Sequence, residues 1–446
     1  MPFNGPSRGP FRGPYDREIA RLAVPALGAL VAEPAFLLAD AAIVGHLGTT
    51  SLAGLGVAGA ALATVVSLFV FLAYGTTAAV ARHVGAGDLR TAIVTGVDGM
   101  WLAIGAGTAA AVLTAALTPQ IVGSFGPSAA VRAEAQTYLL ISTAGIPAML
   151  VALATTGVLR GMQDTRTPLA VYTAGAIVNV ALNLLLVYGA GLGIAGSALG
   201  TVLTQWAMAA CLTTVVVRGA RREGATLRPD RRGIAATAHA GVPLVVRTIT
   251  LRVALVTTTY VATGLGDVPL AAHQVAFTLW TFLAFMLDAI AIAGQAITGR
   301  YLGASDVQGT RDVTRRMVEW GVGFGLLAGA LLALGRPLYI PLFTPDPAVQ
   351  SALADVLLVA AAFQPVCGVV FVLDGVLIGA GDGRYLAIAG LVTLVVFVPL
   401  ATVVLVAGAG LVWLWWAFGA FMLARLVTLV VRERGDRWLV TGATTR

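Results

Sequence analysis

Glu33 and Asp40 stand seven residues apart in the apolar stretch AEPAFLLADAAIVGHLG, residues 32–48. Seven residues are two helical turns, so a helix here puts both carboxylates on one face. A carboxylate held among hydrocarbon is costly, and where one persists it is either paired or used. The chemistry available to such a group is the uptake and release of a proton or a small cation. Asp40 is the first candidate. Glu33 lies just before Pro34, whose ring and missing N–H loosen the helix. It reads equally as a second carrier or as an acceptor that steadies a bend.

These residues must be positioned by membrane-spanning helices. The chain has 446 residues, 58% of them hydrophobic and only 11% charged, where a soluble domain is nearer a quarter charged. With a mean hydropathy of +0.89 and repeated apolar runs of about twenty residues, it reads as an all-α polytopic membrane protein. Twelve apolar segments are expected, at 18–46, 52–80, 92–117, 130–158, 167–188, 194–217, 238–265, 270–299, 313–335, 350–379, 384–407 and 410–432. Residues 1–17 are rich in Pro, Gly and Arg, and a disordered cytoplasmic tail is expected there. Cys211 and Cys367 both sit in apolar segments and read as small core residues, not as a disulfide. The four His residues, His46, His83, His239 and His273, show no zinc spacing, so no metal site or cofactor is expected.

All 28 basic residues are Arg. They gather in alternate connections, densest between Arg218 and Arg232, while the opposite connections hold only Arg132 and Arg336. The positive-inside rule then places both termini in the cytoplasm with an even number of spans. The net charge of +7 is thereby a topology signal, and nucleic-acid binding is not expected.

The chain matches itself at an offset of 218 residues without a gap. Val24-Pro25 falls on Val242-Pro243, Leu47-Gly48 on Leu265-Gly266, and Pro147 on Pro365. GVLRGMQDTR (157–166) falls on GVLIGAGDGR (375–384). Six spans per repeat make the two repeats parallel, related by an axis along the membrane normal. The expected organisation is an N-lobe at 18–217, a cytoplasmic linker at 218–237, a C-lobe at 238–432 and a second cytoplasmic tail at 433–446. Two such lobes describe a transporter in which one rocks against the other.

The repeat separates scaffold from chemistry. Residues that match across the offset serve the shared frame, and polar residues without a counterpart are site candidates. Asp40 falls on Thr258, Asn179 on Phe397, Asn183 on Ala401 and Thr201 on Gly419. Asn179 and Asn183 are one helical turn apart, on one face. In the C-lobe Arg247, Arg252, Asp288 and Asp374 fall on Ala29, Pro34, Val70 and Thr156. Either acid there is expected to pair with Arg247 or Arg252, and the alternative is a substrate or second proton site. His273 and Gln295 are weaker members of that set. Trp413, Trp415 and Trp416 read as an interfacial aromatic belt. Asp88, Asp164, Asp306 and Asp382 recur in the loops and read as loop-structure residues.

The stretches Glu33–Gly48, Asn179–Thr201, Ala271–Gln274 and Phe371–Ala387, together with the repeat, resemble the multidrug and toxic compound extrusion (MATE) family, DinF-like branch. The resemblance covers nearly the whole chain apart from its tails. It implies twelve transmembrane helices in two lobes and cation-coupled export of organic compounds. It also implies a proton or cation site at Asp40, Asn179, Asn183 and Thr201. Some members of the branch carry Asp where this chain has Asn183, which leaves Asp40 as the main titratable group, with Glu33 as its helper.

The expected function is a secondary antiporter that exchanges protons, or sodium, for an organic compound that is cationic or amphiphilic. It needs no cofactor beyond the coupling ion, works as a monomer, and sits in a bacterial inner membrane. No phosphate-cradling Walker loop is present, so ATP drive is not supported. The alternatives are a flippase for a lipid-linked precursor, which would favour a cationic cavity, and an integral-membrane enzyme. The latter lacks any converging nucleophile or metal set.

Overall fold

A computed structural model describes Gly13 and residues 15–443, apart from the side chains of Glu33 and Ala35. The expected N-terminal tail at 1–17 falls almost wholly outside the described residues. Every regular element among the described residues is helical. They are α1 (Asp16–Gly45), α2 (Thr49–Ser67), α3 (Phe71–Gly85), α4 (Leu89–Ser124), α5 (Ala129–Thr143), α6 (Ile146–Gly161) and α7 (Arg166–Leu184), then α8 (Gly193–Arg222), α9 (Arg231–Gly264), α10 (Asp267–Gly303), α11 (Val307–Phe343), α12 (Pro347–Gly379), α13 (Gly383–Val406) and α14 (Leu411–Arg434). A π-helical turn, Leu185–Gly189, extends α7.

Two of the twelve expected segments are broken. The segment expected at 52–80 is α2 followed by α3. The segment expected at 130–158 is α5 and α6, which meet at 51°. Among the described residues eleven spans are long and apolar enough to cross a membrane, and the bent pair, taken as one span, makes a twelfth. The repeating loop acids begin or brace helices. Asp88 accepts from the Thr91 amide at 2.9 Å and Asp306 from the Gly309 amide at 2.8 Å, each capping the helix that follows. Asp164 accepts from the Arg166 and Thr167 amides at 3.1 and 3.0 Å, and Asp382 takes the Arg432 guanidinium at 2.5 Å.

The helices form two units. The first is Gly28–Val245 and the second joins the N-terminal segment up to Leu27 to the chain from Val246 onward. The unit boundaries thus fall inside α1 and α9, whereas the lobes expected from the sequence part at the linker 218–237. Local contacts account for this. At the start of α1, Asp16 accepts from Arg316 Nε and Nη2 at 2.7 and 2.8 Å and from Trp320 Nε1 at 2.8 Å. Two residues on, Glu18 takes Arg300 and the Tyr301 hydroxyl. These partners belong to α10 and α11. The start of α9 lies against the first unit, where the Phe71 ring covers Gly241 and the Asp230 amide donates to Asp98 Oδ1 at 3.3 Å. The connection between α8 and α9 is correspondingly short, and Trp101 Nε1 fixes it by donating to the Leu227 carbonyl at 3.0 Å.

The core of the first unit centres on α6, where Ile146, Leu150, Val158 and Leu159 pack on Leu72, Val80, Met100 and Leu212. α12 is the corresponding buried helix of the second unit. The GVLxG motif explains itself here. A Cβ on Gly157 would meet the Ala73 carbonyl at 2.6 Å, and one on its repeat counterpart Gly375 would strike the Ala291 carbonyl. Both glycines let a neighbouring backbone approach where a methyl group would not fit. The matched residues are the ones the shared packing requires.

Candidate functional site

Asp40 lies in α1 and is 2% exposed, within the first unit. Three donors converge on it. Asn183 Nδ2 donates to Oδ1 at 2.8 Å, the Ser197 hydroxyl donates closely to the same oxygen, and the Tyr138 hydroxyl donates to Oδ2 at 3.1 Å. The second proton of the Asn183 amide goes to Asn179 Oδ1 at 3.1 Å, and Asn179 Nδ2 donates in turn to Thr201 Oγ1 at 3.2 Å. The result is a buried chain, Asp40–Asn183–Asn179–Thr201, with two hydroxyls closing around its carboxylate end. All five partners are themselves buried.

Local sequence explains the convergence. Asn179 and Asn183 are one turn apart on α7, and Ser197 and Thr201 are one turn apart on α8. The glycine-rich turn between them carries Gly191 and Gly193 at φ +67° and +56°, in the left-handed region, and so reverses the chain tightly. Gly196 lets α8 come against the backbone of Leu186 and Val187 in the π-helical turn, and Gly200 leaves room for the Asn183 carboxamide. Tyr188, in the same turn, donates to the Ile43 carbonyl at 2.6 Å and so ties α1 in place one turn beyond Asp40. π-helical turns inside α-helices often mark functional sites.

Asp40, Asn179, Asn183 and Thr201 are therefore brought together. The Glu33 side chain lies outside the described residues. Sequence reasoning missed Tyr138 and Ser197, although the signal was available: across the 218-residue offset they fall on Val356 and Trp415, so neither belongs to the shared scaffold.

Chemically, the site holds one carboxylate among neutral groups, most of which can reverse their role. A hydroxyl donates or accepts as it rotates, and a carboxamide presents either nitrogen or oxygen. Asn183 Oδ1 is buried without a hydrogen-bond partner, next to the acid its own nitrogen holds. A half-turn of that amide would offer an acceptor to a protonated Asp40. Among the described residues no group of three or more His, Cys, Asp or Glu side chains could hold a metal ion.

Apart from Thr258, the counterpart of Asp40, the corresponding positions of the second unit are apolar. Phe397, Ala401 and Trp415 are buried there, and Trp415, Phe418, Phe421, Trp280 and His273 form a run of ring contacts between 5.1 and 5.9 Å, with Phe397 joining it at Phe421. This corrects the belt reading for one of three tryptophans. Trp413 and Trp416 are 61% and 47% exposed, while Trp415 is 2% exposed and belongs to the interior. His273 is fully buried, with Nε2 3.3 Å from Thr259 Oγ1.

The charged residues of the second unit divide. Arg247 forks onto Asp374, with Nε 3.1 Å from Oδ1 and Nη2 close to Oδ2. Arg425, a residue sequence reasoning passed over, reaches Oδ1 at 3.3 Å. Arg425 falls on Ala207 across the offset, so the same filter marks it too. Arg252 is exposed, and of the two arginines expected to pair with an acid it is Arg247 that meets Asp374. Asp288 is half-buried on α10, and Gln295 is buried nearer the end of that helix.

The sequence profile of the MatE family matches the chain twice, at residues 25–185 and 243–403. Both bounds move by 218 residues, the offset found in the sequence. Protein DETOXIFICATION 44, chloroplastic, of Arabidopsis thaliana is 31% identical, covering 92% of this chain and 80% of that protein. DNA damage-inducible protein F of Escherichia coli strain K12 is 30% identical, covering 82% and 81%. Among solved structures, the Vibrio cholerae MATE transporter VcmN in its bent form superposes with a TM-score of 0.83 at 20% identity, over 95% of this chain and 98% of that one. The repeated fold and both profile matches lead to one assignment: the chain belongs to the MatE family of multidrug and toxic compound extrusion transporters.

Proposed function

We propose that the protein is a proton-coupled antiporter and that Asp40 carries the coupling proton. The observation that supports this most is the closed set of hydrogen bonds on a buried carboxylate. It is present in the first unit and replaced by Phe397, Ala401 and Trp415 in the second. Three donors suit the charged form of Asp40, and reversal of a hydroxyl or of the Asn183 amide suits the protonated form. If Asp40 binds a proton with different affinity in the two transport states, the gradient is coupled to the cycle. Sodium is the alternative coupling ion, with Asp40, Asn179, Asn183 and Thr201 supplying oxygens. A lone carboxylate favours the proton, since hard cations are usually held by more charge.

The cargo is a small organic compound, cationic or amphiphilic, expelled as protons enter. The chain acts as a monomer in a bacterial inner membrane, with its arginine-rich connections and both termini on the cytoplasmic side. The test is efflux from proteoliposomes under an imposed pH or sodium gradient. Efflux driven by the pH gradient supports the reading. Efflux driven by sodium alone replaces the coupling ion, and efflux driven by neither removes the antiporter reading.

A further inference from the structure

Asp40 is 2% exposed, so a proton reaches it only through the groups around it. Of its three donors, Tyr138 stands on α5, and that helix carries a further acid. Glu134, Tyr138 and Ser142 recur on α5 at four-residue spacing, which puts them on one face, a turn apart. Side chains of a helix lean toward its N-terminus, so a residue at 138 leans toward the turn that holds Glu134. The Tyr138 hydroxyl meets Asp40 Oδ2 at 3.1 Å, and the Ser142 hydroxyl is buried without a hydrogen-bond partner. Glu134 is half-buried in the first turns of α5, beside the α4–α5 connection. The bond that holds its carboxylate is long, from the Ser51 hydroxyl at 3.4 Å.

The repeat marks this stripe as it marks the site. Glu134, Tyr138 and Ser142 fall on Ala352, Val356 and Ala360 of α12, and Ser51 falls on Pro269. The packing changes with them. A Cβ on Gly54 would meet the Glu134 Cβ at 2.7 Å, so α2 makes room for the acid with a glycine. Across the offset, where Glu134 becomes Ala352, Gly54 becomes Ala272. Few charges surround Glu134. α2 has no charged side chain, and those of α4 (Arg90, Asp98) and α8 (Arg218, Arg221, Arg222) stand at the far ends of those helices. α1 brings Asp40, and just past its end the exposed His46 has Nδ1 2.7 Å from the Ala42 carbonyl. Arg132, on α5 itself, is exposed. Among the described residues Glu134 is in no ion pair. A cation would hold the carboxylate charged, and without one it is free to exchange a proton.

We propose that Glu134 is the proton-relay acid of the Asp40 site, passing protons between Asp40 and the medium at the α4–α5 end of the unit through the Tyr138 hydroxyl. In one transfer Tyr138 gives its proton to Asp40 Oδ2 as it takes one from the Glu134 carboxylic acid. One proton moves, Tyr138 is restored, and Glu134 is left as a carboxylate that water recharges. Glu134 reaches the Tyr138 hydroxyl by swinging away from Ser51. The proposal rests on the reading of Asp40 as the proton carrier and adds a rate to it: Asp40 sets how many protons bind, and Glu134 sets how fast they arrive.

The experiment is time-resolved infrared difference spectroscopy of the full chain in nanodiscs after a downward pH jump. It follows the carboxylic acid C=O band of Asp40, identified by its loss in Asp40→Asn. Glu134→Gln should reach the same final band about a hundredfold more slowly, the lower end of what a positioned acid contributes. Azide, a small weak acid, should restore the rate in Glu134→Gln and leave wild type unchanged. Glu134→Asp, which keeps the acid but shortens its reach, should fall between the two and carries the test where the Gln variant does not fold. Tyr138→Phe should also be slow, and the double variant no slower than the slower single, as for two members of one path. Arg132→Gln, a charge change at an exposed site of the same helix, should leave the rate unchanged. Equal rates in wild type and Glu134→Gln would overturn the relay. So would a smaller final band, or slowing that azide does not relieve, either of which marks a structural role. Absence of an Asp40 band from wild type would overturn the relay together with the Asp40 reading beneath it.

Discussion

Asn183→Ala separates the site from the scaffold, because the repeat counterpart of Asn183 is itself alanine, Ala401, fully buried in the second unit. The packing therefore accepts a methyl group at this place. The substitution removes the 2.8 Å bond to Asp40, a bond to a charged group worth about 1.5–3 kcal/mol, and the 3.1 Å bond to Asn179, worth about 1 kcal/mol. It also removes the unpartnered Asn183 Oδ1, which recovers about 1–3 kcal/mol of desolvation cost. The net loss of stability is roughly 1 kcal/mol, and the denaturation midpoint in detergent should move little. The effect on function should be larger. The lost donor acts on the charged form of Asp40, so the pH dependence of transport should change with it. The assay is gradient-driven efflux of ethidium from proteoliposomes, measured between pH 5.5 and 8.5, about one and a half units either side of neutrality. The half-maximal pH should be displaced while the midpoint of denaturation is nearly unchanged. Superposable pH profiles would refute the reasoning, and so would a protein too unstable to purify.

Other substitutions follow from the same geometry. Gly200→Ala places a methyl group against Asn183 Oδ1 and should reproduce the efflux defect of Asn183→Ala, read in the same pH series. Tyr138→Phe removes the 3.1 Å bond to Asp40 Oδ2 without changing ring volume, so efflux should show a smaller displacement in pH with stability within about 1 kcal/mol of wild type. Gly375→Ala drives a methyl group into the Ala291 carbonyl and should destabilise by about 1–3 kcal/mol, read as a lower denaturation midpoint. Asp16→Ala removes the bonds it accepts from Arg316 and Trp320 and should cost about 1.5–3 kcal/mol, read the same way.

Much of this was legible before any coordinates. Hydropathy gives the helices, because a membrane requires long apolar helices. The repeat supplied the candidate site, because two halves built on one frame can differ where their chemistry differs. Asp40, Asn179, Asn183 and Thr201 came out of that contrast. Tyr138 and Ser197 did not, since a tyrosine and a serine in apolar helices attract no notice by type, although the same offset marks both. The helix breaks were harder. Pro147 begins α6, yet its counterpart Pro365 lies inside the unbroken α12. The break coincides with Gly145, where the second unit has Phe363. Proline alone was not decisive, and the break between α2 and α3 at Leu68–Val70 has neither proline nor glycine. The division of α1 and α9 between the units was hidden for another reason. It depends on Asp16 meeting Arg316, 300 residues away, and no local pattern encodes that distance.

The central claim is that Asp40 carries the coupling proton. It is tested most directly by counting protons released when an exported compound is added to purified protein in weakly buffered detergent with a pH dye. Wild-type protein should release protons on binding, and Asp40→Asn should bind the same compound and release none. Proton release from Asp40→Asn equal to that of wild type would contradict the account.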